Sequence, residues 1–468
     1  MEAPATRNAK FRTACDRCYK LKERCERASV SVNCARCDRL DLSCLTVRPM
    51  RPVGRRAHHA DSVTRLASRK SRKQAQNQPS IDPSLNVLSD LQPEEEELLT
   101  FFLSKSENLD PFIAYPSSRS GKQQLFSVQL SSALPSFKDA FLACALSVKQ
   151  LQTDTAGDVG TTFSVRYILK AMDALRSLPV LSSQDAILCH ALGGLLAFSI
   201  SSAIGVGVPD ICRHCLDTTT PYMTTVYDAQ DDPWGSFLIL LETMDCLMHR
   251  QKPILRIRVP TSVVIDCRLG LCLPLLPYYH DLCVISNTLL NITDANDLAR
   301  LQKQLDDIHG IVEPWQPSQL NGLIERFDST EIVHLLAQAK IYRLGALLVG
   351  HRLRYPFGQE DSQAEIWSKE VMMELEVAKL VTKRSMRFVT LPFTIAAVEV
   401  REESSRVKTL ERVDDCVDDF AQFMQKATKT FLLRVWHERD ANFTTRWFDS
   451  IHKPCPVLNA LTATCSTG

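Results

Sequence analysis

Along most of the chain, from about residue 94 onward, apolar residues recur at spacings of three and four, the period of a helix buried along one face. Residues 134–152 and 161–177 carry this pattern. Residues 328–353 show it most clearly: Asp328 and Glu331 can form a capping box, and Ile332, Leu335, Leu336, Ala339, Ala346 and Leu347 mark one face. Residues 364–384 and 406–438 repeat the picture. Pro93 followed by Glu94–Glu97 is a helix start, with proline in the first turn and acids at the positive end of the dipole. There is no run of alternating strands with glycine-rich turns and no internal repeat. Residues 94–468 therefore read as one all-α domain. Ala186 to Val208 lacks Asp, Glu, Lys and Arg and is long enough to span a bilayer. It also holds His190, four glycines and three serines, and acids flank it at Asp185 and Asp210. A central buried helix is the better reading.

The first 93 residues have a different pattern. Residues 1–14 form a short polar arm, expected to be disordered. Residues 45–93 read as a disordered basic linker, rich in Pro, Ser and Gln, with Pro49, Pro52, Pro79, Pro83 and Pro93. Val63 and Leu66 begin a heptad that Arg69, Lys70, Arg72 and Lys73 do not continue, and Leu85, Leu88 and Leu91 are too short a run. A coiled coil is not supported.

Composition sharpens this division. The formal charge of +1 over 468 residues is a cancellation: residues 1–75 hold 19 Lys and Arg against 7 Asp and Glu, and the rest hold 36 against 47. A basic arm precedes an acidic body, and the arm is where a polyanion would bind. Only 16 residues are glycine, which disfavours a turn-rich all-β fold. The stretch from Met1 to Phe11 has no apolar secretory core, so the cysteines are expected to stay reduced.

Six of the 17 cysteines fall within residues 15–44, spaced Cys15-x2-Cys18-x6-Cys25-x8-Cys34-x2-Cys37-x6-Cys44. Thiolates three residues apart lie on one side of a helical turn and can chelate a soft cation. Zn(II) favours four thiolates in a tetrahedron. One such site would strand two of the six cysteines, and two separate sites would need eight. Six thiolates satisfy two ions only if two of them bridge both metals. RING and LIM modules need other spacings.

The span resembles the fungal Zn(II)2Cys6 binuclear-cluster regulators. All six cysteines match, as do the basic run Cys18-Tyr-Lys-Leu-Lys-Glu-Arg-Cys25 and the preceding Ala14-Cys-Asp-Arg. The resemblance implies two Zn(II) per chain, with Cys15 and Cys34 bridging the metals. Cys18 and Cys25 would complete one site, and Cys37 and Cys44 the other. One departure is that Glu26–Asn33 lacks the proline usual in this loop.

Two Zn(II) and six thiolates leave the cluster core at about −2, which the basic arm more than offsets. The resemblance implies a short metal-stapled helix whose C-terminal end enters the major groove of double-stranded DNA over a CGG-type triplet. Lys22 stands where the family places its base-contacting lysine, able to reach guanine N7 and O6. Lys20, Arg24, Arg17, Arg36 and Arg39 are placed as phosphate contacts. The basic groups Arg48–Arg56 and Arg69–Lys73 suit further phosphate contacts or nuclear import.

The acidic remainder offers little chemistry. Ser118-Arg-Ser-Gly-Lys122 has Pro116 where a phosphate loop needs its first glycine, and Gly205-Val-Gly207 lacks a third glycine. Cys212-Arg-His-Cys215 has no second ligand pair nearby and reads as helix packing. Val264-Ile-Asp-Cys-Arg-Leu-Gly-Leu-Cys272 and His351-Arg-Leu-Arg-Tyr-Pro-Phe-Gly358 look similar to the α-helical regulatory domain of these fungal factors, although Arg352, Arg354, Pro356 and Gly358 also suit a plain helix terminus. Asp414 to Asp419, Phe420, Phe423 and Trp436 suit either contact with the transcription machinery or a core helix, the latter favoured. The reading is a nuclear regulator without enzymatic activity and without a membrane span, controlling a pathway such as a secondary-metabolite gene cluster. A homodimer and a small-molecule effector are further candidate partners. The alternative is a helical enzyme or ligand-binding protein tethered to nucleic acid by a structural zinc module.

Overall fold

The computed structural model of the protein describes residues 14, 15, 18, 22, 25, 26, 32–40, 42, 44 and 45, and 91–448 apart from 105, 116, 118–136, 153–157, 224–231, 233, 260–264, 291–293, 318–321, 444 and 445. The chain divides into two compact units, Met1–Ser80 and Ile81–Gly468. The polar arm before residue 14, residues 46–90 of the linker with their basic groups, and the Ser118–Lys122 segment lie outside the described residues.

Among the described residues of the first unit, Cys18 is helical and Ala35–Arg39 form a short helix, α1, capped by the Cys34 side chain. The second is helical throughout its described residues, with no strand and a single isolated bridge between Asp266 and Gly270. Its helices are α2 (Pro93–Ser104), α3 (137–152), α4 (Asp158–Ser177), α5 (Ser183–Ala203), α6 (Val208–Thr219), α7 (Gly235–His249), α8 (Leu276–Leu289), α9 (Ala295–Val312), α10 (Leu323–Arg326), α11 (Ser329–Arg354), α12 (Asp361–Thr382), α13 (Thr390–Ala397), α14 (Glu403–Glu411), α15 (Val413–Cys416) and α16 (Gln422–Asp440). Helix α5 packs on α4, α6, α7 and α16, while α11 packs on α8, α9, α12 and α13; contact between α7 and α8 joins the two groups.

Local chemistry sets the ends of both central helices. Ser182 caps α5 by accepting from the Asp185 N–H at 3.2 Å. The helix stops at Gly205, whose φ of +77° lets its N–H reach back to the Ile200 carbonyl at 2.7 Å. The apolar run read as one helix to Val208 is thus two elements, since Gly207, with φ +89°, precedes the first residue of α6. The capping box of α11 is present: Asp328 Oδ1 accepts from the Glu331 N–H at 2.8 Å, and the Asp328 N–H donates to Glu331 Oε2 at 3.1 Å.

Helices α5 and α11 are each long and apolar enough to cross a membrane, but both are largely buried inside the helical unit. Every residue of α5 from Cys189 to Ile200 is buried. Two glycines allow this closeness. A Cβ on Gly194 would lie 2.2 Å from Cε3 of Trp234, and one on Gly193 would lie 2.3 Å from the Cys215 sulfur.

The Asp266–Gly270 turn ties distant segments together. Asp266 Oδ1 accepts from the N–H groups of Arg268 and Leu269, each at 2.8 Å. The Cys267 carbonyl accepts from Ala114 N–H at 2.8 Å, and the Arg268 carbonyl from Gln338 Nε2 at 2.8 Å. The Arg268 guanidinium is buried against Trp234 and Phe237, 4.9 Å from each ring centre.

A further expectation is corrected. Residues 406–438 are not one helix: α14, α15 and α16 are separated, with a turn over 417–421. Asp418 Oδ1 accepts the Phe388 N–H at 2.9 Å in that turn, a bond a continuous helix would not place there. Arg352 stands in the last turn of α11, as its reading as a helix terminus expects, and its Nη1 donates to the Pro356 carbonyl at 3.2 Å. It is buried, and its Nε and Nη2 clamp Glu399 at 2.8 and 2.7 Å while Nη2 also meets Asp361 at 2.8 Å. Phe420 and Trp436 are core residues, the favoured of their two readings: Phe420 packs 5.1 Å from Phe198, and Trp436 Nε1 donates to the Ala397 carbonyl at 3.1 Å.

Candidate metal centre and nucleic-acid interface

The six N-terminal cysteines form two similar halves offset by 19 residues. In the first half the Cys18 N–H points at Cys15 Sγ (3.5 Å) and the Cys15 N–H at Cys25 Sγ (3.3 Å). In the second half the Cys37 N–H points at Cys34 Sγ (3.4 Å) and the Cys34 N–H at Cys44 Sγ (3.3 Å). The halves meet sulfur to sulfur: Cys15 lies 3.9 Å from Cys34 and 3.8 Å from Cys37, and Cys34 lies 3.8 Å from Cys18. Thus Cys15 and Cys34 each touch both halves.

These separations have a chemical meaning. Four thiolates about 2.3 Å from a central Zn(II) stand roughly 3.8 Å apart along each edge of the tetrahedron. The Sγ atoms of Cys15, Cys18, Cys34 and Cys37 all lie within 4.8 Å of one another, and all four residues are buried. Four cysteines this close could bind a metal ion. Cys25 and Cys44, half-buried, flank the group through the backbone contacts above. No disulfide joins any described cysteine.

The electrostatics distinguish the shared pair from the rest. Burial raises the Cys34 thiol, but the Cys37 N–H and the surrounding thiols outweigh it and bring it down to about 6. Cys15 is lowered by the same balance. Cys18 is pushed up to about 12 by burial and by its neighbours Cys15 and Cys34. Cys37 is raised by its hydrogen bond to Cys34 and by burial.

Of the cations assigned to DNA, Lys22 is exposed and takes a left-handed backbone, φ +52°, as expected of a residue that ends a helical turn. Arg36 and Arg39 lie on α1, Arg39 exposed and Arg36 half-buried. Lys20, Arg24 and Arg17 lie outside the described residues.

The helical unit holds a polar cleft of about 430 Å³ that sequence reasoning did not find. Its titratable groups come from segments far apart in the chain, so no motif announces them. Burial pushes the Asp418 carboxyl up to about 6 and lowers His334. Convergent groups of this kind also mark catalytic centres, but here they hold structure. Glu331 closes the α11 capping box and accepts from the Ser117 N–H at 2.7 Å. His334 Nε2 meets Thr382 Oγ1 at 2.9 Å, Arg387 donates to the Asp110 carbonyl, and Asp418 holds the left-handed Phe388, φ +55°.

Residues 236–456 match a family model described as the fungal specific transcription factor domain. That match begins in α7 and does not extend to the cysteines. No curated protein and no solved structure matches the chain.

Proposed function

We propose that this chain, whose residues 236–456 match the fungal specific transcription factor domain, is a regulator of that family and reads DNA sequence through a Zn(II)2Cys6 cluster at its N-terminus. The family match supports a regulator of transcription, and hence a nuclear site of action. The reader itself rests on one observation: the duplicated cysteine geometry, with Cys15 and Cys34 as the two sulfurs common to both halves.

Two Zn(II) would be held by Cys15, Cys18, Cys25 and Cys34 and by Cys34, Cys37, Cys44 and Cys15. The metals supply folding energy to a segment too short for a core of its own. The chain's own residues then do the reading. Lys22, exposed at the end of its turn, is the donor for guanine N7 and O6. Arg36 and Arg39 on α1, and by their sequence positions Lys20, Arg24 and Arg17, would meet phosphates and fix register. The acidic helical unit is the regulatory part, and its own charge would oppose non-specific binding. The polar cleft is the one feature favouring the alternative of a tethered enzyme, and the engagement of its groups in turns and helix ends speaks against it.

The test is a mobility-shift titration of zinc-loaded full-length protein on duplexes with and without a CGG triplet, repeated after chelation and after zinc is restored. Binding should prefer the triplet, vanish with the chelator and return with zinc. Binding that survives removal of the metal would remove the cluster from the function.

A further inference from the structure

Helix α12 packs on α11 and α13 through one face, where Ala364, Trp367, Val371, Leu375 and Ala378 are buried. Its opposite face is apolar too. Ile366, Met373, Val377, Leu380 and Val381 are between 46 and 63% exposed. They make up five of the seventeen exposed large hydrophobics among the described residues, and the rest are scattered. A lone exposed apolar side chain is ordinary, but a contiguous row of them marks an interaction surface.

The row has the period of a helix that packs along another helix. Ile366, Glu370, Met373, Val377 and Leu380 alternate spacings of four and three, the seam that the linker does not support. Glu370 is the polar member, tied back to Lys340 of α11 at 2.9 Å. Charge along the strip says which helix fits it. Glu360 and Glu365 stand at its start, and Lys383 and Arg384, both exposed, just past its end. Lys369 and Glu376, seven residues apart, lie on one flank. Lys369 meets Glu365 one turn back at 2.6 Å, an exposed pair that leaves 75% of the lysine side chain in solvent. Glu376 comes no closer than 3.7 Å to Arg412 and is 64% exposed.

We infer that α12 is the face through which two copies of this chain associate, as an antiparallel helix pair about a twofold axis between Met373 and Val377. In that arrangement Met373 faces Val377 of the second copy, and Lys369 faces Glu376 of the second copy. The acidic start of each helix meets the basic end of the other, and symmetry makes every such contact twice. A parallel pair would set acid beside acid and base beside base, and would align the helix dipoles rather than oppose them. The strip is therefore complementary to itself in charge as well as in apolar character. A single helix pair is a small interface, so the association is weak, roughly micromolar.

The test is sedimentation velocity of the zinc-loaded full chain, without DNA, over a hundredfold concentration range that reaches well above micromolar. A reversible monomer–dimer equilibrium is expected. Met373→Glu should weaken it at least tenfold, with the melting temperature of a dilute sample unchanged because the side chain is exposed. Lys369→Glu and Glu376→Lys should each weaken the dimer. An equimolar mixture of these two variants should restore it, since each chain then meets the opposite charge on the other. The inference fails if the chain stays monomeric at every concentration, which would leave the strip to a different partner. It fails if Met373→Glu dimerises as the parent does, or if the mixture associates no better than either variant alone. It also fails if dimers appear only after residues 449–468 are removed, because that segment would then be the occupant. None of these outcomes depends on DNA binding.

Discussion

Cys15 Sγ and Cys34 Sγ lie 3.9 Å apart, and each stands against the other half's Cys-x2-Cys pair. This makes the six cysteines unequal. Cys15→Ser or Cys34→Ser should remove a ligand from both sites and leave close to no bound zinc. Cys25→Ser or Cys44→Ser should remove a ligand from one site and leave about one ion per chain. Elemental analysis of the purified variants checks this, and equal losses from all four would reject the shared roles.

Lys22 is exposed, with φ +52°. Lys22→Ala should cost about 1–3 kcal/mol on a cognate triplet and blur sequence preference. Arg39→Ala should weaken cognate and random duplexes alike and lower the salt dependence of binding. Competition assays across a salt series separate the two behaviours.

Arg352 and Glu399 form a buried bidentate pair between α11 and the residues after α13. Desolvation lowers the Arg352 guanidinium, but Glu399 and then Asp361 outweigh it and raise it overall. Removing Glu399 leaves the buried guanidinium with Asp361 as its carboxylate partner and its Nε without this acceptor, so Glu399→Ala should destabilise by about 3 kcal/mol, the low end for a broken buried pair. Chemical denaturation of the helical unit is the measurement, and a change within error would mean that water replaces the carboxylate.

Gly194 faces the Trp234 ring at a distance where a Cβ would clash at 2.2 Å. Gly194→Ala should destabilise by about 1–3 kcal/mol through overpacking, despite the better helix propensity of alanine. Gly310→Ala on α9, where a Cβ would meet nothing within 4 Å, should be neutral or stabilising. Thermal melts of the two variants should move in opposite directions or by clearly different amounts.

His190 is fully buried, with Nδ1 2.6 Å from Asp232 Oδ2 and Nε2 2.7 Å from Thr219 Oγ1. Burial lowers its pKa, but Asp232 outweighs burial and raises it above the usual 6.5. The folded state then binds a proton more tightly than the unfolded one. The stabilisation is complete below about pH 6.5 and is lost as pH rises through the folded value. The melting temperature should fall over that window, and His190→Gln should flatten the slope. An unchanged slope would assign it to other groups.

The reach of the sequence is uneven for physical reasons. The cysteine cluster is legible because tetrahedral zinc fixes how many thiolates are needed, and six at this spacing leave few solutions. The start of α11 is legible because Asp328 and Glu331 act within one turn. The break within 406–438 is not. Val413, Cys416, Val417 and Phe420 continue a helical spacing across it, neither glycine nor proline marks it, and its cause, the Phe388 N–H, lies 30 residues away. The Arg352–Glu399 pair, 47 residues apart, is hidden for the same reason. Tertiary proximity, not local pattern, creates them.

The most direct test of the whole account is selection of bound sequences from a random duplex pool by zinc-loaded full-length protein. The account expects enrichment of CGG-type triplets, lost with chelator and blurred in Lys22→Ala; paired triplets would add a homodimer. Zinc-dependent binding with no enriched sequence, or no binding at all, would contradict it.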